Sequence, residues 1–133
     1  MDNLFLNNQK ISLNSKPFII AEAGINHNGN VNTAFSMIEV AKEIGASAIK
    51  FQTFKAIDFC GDINQKIKYF SNNKKYTENM LELFKRHEFT KSQWKDIKKK
   101  CDKEKLIFFS TPQNTNNLKL PYKSIKRFSF SNN

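Results

Sequence analysis

The sequence predicts an α/β fold built on a parallel sheet, and three observations carry that prediction. Phe18 to Ala23 is an unbroken apolar run that ends in a Gly/Asn loop. Ala48 to Thr53 is a second run that ends in polar residues, and the stretch between the two has a helical period. Strand, crossover helix and strand of this length form a right-handed parallel βαβ unit. Leu106 to Ser110 supplies a third strand, so the order is βαβαβ with a short hairpin in front.

Each element has its own signal. Leu4-Phe5-Leu6 and Lys10-Ile11-Ser12-Leu13 flank the polar Asn7-Asn8-Gln9, which reads as the hairpin. The Phe18–Ala23 run suits a strand covered on both faces. Gly24 to Asn30 is a loop, and Asn32 is placed to cap the helix after it. Ala34, Met37, Ile38, Ala41 and Ile44 recur at helical spacing and form one apolar stripe. Gly45 stands where a helix end favours a left-handed residue.

Residues 54–75 are polar and read as a long irregular loop, and Thr77 to Arg86 as a short helix. Thr90-Lys91-Ser92-Gln93 fits a capping box, with Phe89 and Trp94 at the staple positions around it. Trp94, Ile97 and Cys101 then share a helix face. After Thr111-Pro112 the pattern weakens. Leu118-Lys119-Leu120 is stopped by Pro121, and the tail to Asn133 has no sustained period. The domain reading is therefore residues 1–16 as the hairpin, 17–120 as the main domain and 121–133 as an aperiodic tail.

Composition narrows the function classes. The 133 residues suffice for one domain with a core. The sequence has no run of 18 apolar residues, the length that could span a membrane, and the N-terminus lacks the order of a signal peptide. Cys60 and Cys101 have no CxxC or Cys/His context, which favours reduced thiols in a cytoplasmic protein. The net charge of +10 lies entirely in residues 61–133, since residues 1–60 hold five lysines and five acidic residues. A basic half can attract nucleic acid or another polyanion. A solvated helix face in a lysine-rich composition is the favoured account.

The chemistry gathers where parallel sheets bind ligands, at the carboxyl ends of the strands. Glu22, Lys50, Gln52 and Thr111 all lie there. Alternation puts Phe18, Ile20 and Glu22 on one face, Lys50 and Gln52 on one face with Phe51 opposite, and Ile107, Phe109 and Thr111 together. A lysine in an apolar strand needs a partner, either an anionic ligand or an internal ion pair with Glu22. Glu22 can orient a polar ligand or move a proton, or simply accept hydrogen bonds from its loop. Gln52 and Thr111 suit ligand hydroxyl, amide or phosphate groups, or loop bonds. Asn26, His27 and Asn28 can shape a pocket floor, with a structural hydrogen bond the better reading of His27. His87 reads as a surface residue. There is no Walker loop and no GxGxxG.

These segments resemble the N-terminal half of the sialic acid synthases, the family of N-acetylneuraminate, legionaminate and pseudaminate synthases. The resemblance is carried by Phe18–Gly29 (FIIAEAGINHNG), Ile49–Lys55 (IKFQTFK) and Phe109–Pro112 (FSTP), and covers about residues 4–120. It implies the N-terminal portion of a TIM barrel, with three of the eight strands. It also implies a transferase that condenses phosphoenolpyruvate with an N-acetylated amino sugar, releasing phosphate and forming a nine-carbon 2-keto acid. Lys50 and Thr111 then correspond to phosphoenolpyruvate-binding positions and Gln52 to a sugar-contacting position. Glu22 corresponds to the carboxylate near the reacting aldehyde, and Asn26 is a further substrate-binding candidate. A divalent metal, manganese or magnesium, is implied as a Lewis acid. Its histidine ligands come from later strands, so no metal ligand is assigned here. Family members are homodimers in which the partner helps close the site. The expectation is an incomplete, inactive fragment whose tail a frameshift or early stop would explain. The alternative is a small basic module that binds nucleic acid or another polyanion.

Overall fold

The computed structural model describes residues 4–6 and 9–113. The hairpin turn at Asn7-Asn8, the Leu118–Pro121 segment and the aperiodic tail lie outside the described residues. Strands β1 (Leu4–Leu6) and β2 (Gln9–Ile11) pair antiparallel, Leu4 opposite Ile11, as the expected hairpin. Strand β3 (Ile20–Gly24) leads through a turn into helix α1 (Val31–Glu43), and β4 (Ala48–Thr53) follows. Next come α2 (Ala56–Phe59), β5 (Lys66–Ser71), β6 (Lys74–Asn79), α3 (Met80–Lys85), α4 (Lys91–Lys103) and β7 (Ile107–Pro112).

The main sheet is parallel, in the order β3-β4-β7. Its two faces differ. Helices α1 and α4 cover one face, where Ile38, Ile49, Phe51, Trp94, Ile97 and Phe108 form the principal core. Burial of these side chains is the main driving force for the fold. The hairpin covers the start of the other face, through Leu6 packed with Ala48 and Phe109 and supported by Phe18 and Ile107. The far end of that second face carries the polar residues.

Local signals explain the helices. Asn30, not Asn32, caps α1: its side chain accepts from the backbone N–H groups of Asn32 and Thr33 at 2.8 and 3.2 Å. The helix therefore starts two residues earlier than the cap reading places it. Gly45 ends it at φ 76°, as expected. The Thr90–Gln93 capping box is present on α4, and the Phe89 and Trp94 rings meet edge-on at 5.1 Å. That contact fixes the angle at which the chain enters the helix.

Three further expectations are corrected. Residues 54–75 are not one irregular loop: α2 and the β5–β6 hairpin occupy most of them. Ile67 and Tyr69 alternate with lysines, and Asn72 and Asn73 take φ values of 48° and 61° at the turn. Positive φ at both central residues is the geometry that joins two strands tightly. Accordingly α3 begins at Met80 rather than Thr77, because Thr77–Asn79 belong to β6. Nor is β3 covered on both faces, since Ile19 and Ile20 remain 54% and 41% exposed. Among the described residues no helix is long and apolar enough to cross a membrane.

Candidate functional site

The parallel register decides which polar residues meet. Glu22 is the direct partner of Lys50, and Gln52 of Thr111. Side chains opposite one another in a parallel pair point to the same face, so these four share the face opposite the α1/α4 core. All lie towards the carboxyl ends of their strands. The expected sets on alternating faces are therefore the observed ones, and the register joins them into one patch.

Within the patch Lys50 Nζ stands 2.6 Å from Glu22 Oε2, with side-chain exposures of 36% for Lys50 and 54% for Glu22. The internal ion pair weighed for Lys50 is thus present, and solvent still reaches both groups. Gln52 is half-buried and Thr111 exposed. Asn26 is exposed in the turn after β3, where its backbone N–H donates to the Ala23 carbonyl at 3.0 Å. A bulge between Glu22 and Gly24 skips Ala23, so that Gly24 pairs with Phe51. This irregularity ends the strand directly beyond Glu22.

The rest of the Gly24–Asn30 turn is structural. His27 is 1% exposed, stacked on Phe89 with ring centroids 4.1 Å apart. Its Nδ1 accepts the Gly29 N–H at 3.1 Å, the structural bond anticipated for it. The neutral ring then carries its proton on Nε2, which is buried without a hydrogen-bond partner among the described residues. Burial pulls the His27 pKa down to about 4, and the nearby His87 adds to the effect. His87 is not a surface residue. It is 8% exposed, its Nδ1 meets the Leu83 carbonyl at 2.6 Å, and its Nε2 meets the Asn28 side-chain oxygen at 3.3 Å. Asn28 and His27 therefore tie the turn to α3 and to the core, which leaves Asn26 as the turn's exposed polar residue nearest Glu22 in sequence.

Residues outside the four candidates also support the patch. Glu88 accepts from the Ala56 backbone N–H at 2.6 Å and pairs with Lys55 at 2.5 Å. Together they fasten the chain that leaves β4 just beyond Gln52. Glu88 was not a sequence candidate, because its partner lies 32 residues away. On the core side of the sheet Thr53 and Ser110 join their hydroxyls, holding the ends of β4 and β7 together.

Part of the basic charge is paired locally. Lys85, Arg86, Lys98, Lys99 and Lys100 all form ion pairs, Lys100 with both Glu39 and Glu104. Hydrogen bonds from Arg86 and Tyr69 hold the Glu78 carboxyl down at about 2. Lys66, Lys68, Lys74 and Lys75 of the β5–β6 hairpin are exposed and form no ion pair among the described residues.

Comparison with known proteins places the fold in a family. The NeuB family model matches residues 37–127. The N,N'-diacetyllegionaminic acid synthase of Campylobacter jejuni is 36% identical over 97 residues, which is 73% of this chain and 29% of that protein. The enzyme of the same name from Legionella pneumophila is 46% identical over 68 residues, 51% of this chain and 19% of that protein. Among solved structures, the N-acetylneuraminic acid synthetase of Leptospira borgpetersenii, in complex with citrate, superposes with a TM-score of 0.71 at 35% identity. The match covers 90% of this chain and 38% of that one. The chain thus spans less than a third of the length of the curated relatives it matches.

Proposed function

The chain belongs to the NeuB family, and from that premise we propose that its strand-end patch is the first part of a site that condenses phosphoenolpyruvate with an N-acetylated amino sugar. In this reading Lys50 and Thr111 hold the anionic donor, Gln52 and Asn26 contact the sugar, and Glu22 stands beside the aldehyde that is attacked. The new bond joins the donor's methylene carbon to the aldehyde carbon, whose oxygen takes up a proton to become a hydroxyl; a water adds at the donor's second carbon, phosphate leaves from that carbon, and a nine-carbon 2-keto acid results.

The observation that carries the reading is the Lys50–Glu22 pair on the same face as Gln52 and Thr111. A cation held at a strand end by one solvent-accessible carboxylate can exchange that partner for a phosphate, which offers more oxygen acceptors and more charge. The exchange would free Glu22 as the donor arrives. Glu22 could then orient the sugar or take a proton from it.

A divalent metal, manganese or magnesium, belongs to the same reading. The described residues do not fit one: among them no group of three or more His, Cys, Asp and Glu side chains could hold a metal ion. Glu22 alone is no metal site.

Titration of phosphoenolpyruvate into the purified chain tests the proposal, with Lys50→Met as comparison. Binding that Lys50→Met weakens at least tenfold supports it. Equal binding by both proteins would defeat it. A second reading, a basic module for polyanions, draws on the unpaired lysines of the β5–β6 hairpin and on Phe70, 75% exposed between them. Lysines interleaved with an exposed aromatic suit single-stranded nucleic acid. A salt-dependent mobility shift of a labelled oligonucleotide would favour this reading, and no shift would remove it.

A further inference from the structure

The β5–β6 hairpin sorts its side chains by face. Residues opposite one another in an antiparallel pair point to the same side, so the register groups Lys66, Lys68 and Phe70 with Lys75, Thr77 and Asn79. The other face carries Ile67, Tyr69, Tyr76 and Glu78. Glu78 ties that face to the end of α3, accepting hydrogen bonds from Arg86 and from the Tyr69 hydroxyl. It is also the hairpin's one acidic residue, so the outer face is basic throughout. Lys66, Lys68 and Lys75 are exposed there and form no ion pair among the described residues. Phe70 stands 75% exposed opposite Lys75. At the other end of the face, Asn79 Nδ2 donates to the Ile63 carbonyl at 2.7 Å and holds Ile63, 56% exposed, at the base of the hairpin.

We propose that this outer face is a docking surface for an anionic lipid bilayer. Phe70 and Ile63 enter the interface at the two ends of the face, and Lys66, Lys68 and Lys75 lie on the headgroups between them. Three observations select this partner. The first is charge. The three lysines fall within about 13 Å, the span of four strand residues, and like charges so close oppose one another. The hairpin supplies them no counter-charge on that face, and a sheet of anionic headgroups does. The second is the apolar side chains. Ile57, Phe59, Ile63, Phe70 and Tyr76 all stay at least 40% exposed within one stretch of the chain. Apolar projections among lysines suit a surface that lies on a bilayer without crossing it. The third bears on single-stranded nucleic acid, the obvious competitor. Tyr69 and Tyr76 stack on each other on the opposite face, with centroids 5.5 Å apart, which leaves Phe70 as the one aromatic of the outer face. Single strands are held by successive stacked bases, and one ring does not provide a series. A bilayer needs none. Attachment of this kind is reversible and weakens with salt, because attraction to anionic lipid fades within a Debye length. The inference goes beyond the family reading and does not depend on it.

The test is flotation of the full chain with vesicles of equal parts phosphatidylglycerol and phosphatidylcholine, and with vesicles of phosphatidylcholine alone. Binding to the anionic vesicles that high salt abolishes is the expected result. Lys66→Gln, Lys68→Gln and Lys75→Gln together should weaken it more than about tenfold, and Phe70→Ser should weaken it by less. Arginine at the same three positions keeps the charge and should keep the binding, which separates lost charge from a damaged hairpin. Lys91→Gln, Lys95→Gln and Lys103→Gln remove equal charge from exposed positions of α4 and should leave most of the binding in place. No binding to the anionic vesicles overturns the proposal, as does equal binding to phosphatidylcholine alone. Equal losses in the α4 and hairpin variants also overturn it, because net charge rather than this face would then be what the lipid reads. A chain that shifts a labelled oligonucleotide through the hairpin lysines and leaves the vesicles unbound would assign the face to nucleic acid instead.

Discussion

Lys50 Nζ and Glu22 Oε2 stand 2.6 Å apart across the β3–β4 pairing, and the two residues are direct register partners. Because both side chains remain partly exposed, the pair contributes at most about 1 kcal/mol to stability. Its larger consequence is competition, since Glu22 occupies the cation that the proposed donor needs. Glu22→Gln is therefore expected to melt within a few degrees of the parent and to bind phosphoenolpyruvate more tightly, by up to about fivefold, the equivalent of 1 kcal/mol. Calorimetric titration of the two proteins measures the difference. Weaker binding by Glu22→Gln would mean that the carboxylate assists the donor rather than competing with it.

Acid sensitivity is expected to centre on His27. Its folded-state pKa of about 4 lies below the ordinary 6.5, so the unfolded chain binds the proton more readily. Stability from the neutral ring is then fully present above pH 6.5 and is lost as pH falls through 4. The shift corresponds to at most about 3 kcal/mol. Urea unfolding of the parent and of His27→Gln, compared from pH 7 to pH 4, isolates this contribution from the carboxylates. The parent's excess stability should shrink across that window. Parallel pH profiles for the two proteins would show that His27 is not the sensor.

How much of this was legible in the sequence depended on the range of the interaction that decides it. The three parallel strands and two long helices show in local periodicity, because each buries one stripe or face. The faces of Glu22, Lys50, Gln52 and Thr111 follow from strand alternation alone. The pairing of Glu22 with Lys50 was one of two alternatives, because choosing between them requires the register. The burial of His87 depends on Asn28, 59 residues earlier, and carries no local mark. The β5–β6 hairpin was legible in principle. Ile67, Tyr69 and Tyr76 alternate around Asn72-Asn73, but the surrounding lysines lower the apolar signal to that of a loop.

That hairpin yields a prediction of its own. Asn72 and Asn73 hold φ values of 48° and 61°, a conformation that Gly adopts freely and that β-branched residues resist. Asn73→Gly should leave the hairpin intact or tighten it, and Asn73→Val should cost it about 1–2 kcal/mol. A two-stranded ribbon this exposed can open without unfolding the core. The readout is therefore local: hydrogen exchange at the cross-strand amides near the stacked Tyr69 and Tyr76 rings. Faster exchange confined to β5 and β6 in Asn73→Val is the expected result. Unchanged exchange would contradict the turn assignment.

Gly29 and Gly45 separate two reasons for a glycine. Both have positive φ, at 72° and 76°. A Cβ on Gly45 would meet nothing within 4 Å, so Gly45→Ala carries only the left-handed penalty, about 1 kcal/mol. A Cβ on Gly29 would fall 1.9 Å from the Arg86 carbonyl oxygen, a backbone atom at the end of α3. To relieve that overlap the turn must move away from α3, which breaks the Asn28–His87 contact and disturbs His27 above Phe89. Gly29→Ala should therefore cost well over 2 kcal/mol, more than twice its counterpart. Denaturant midpoints for the two variants give the comparison. Equal losses would mean that the approach of the turn to Arg86 is not what makes Gly29 necessary.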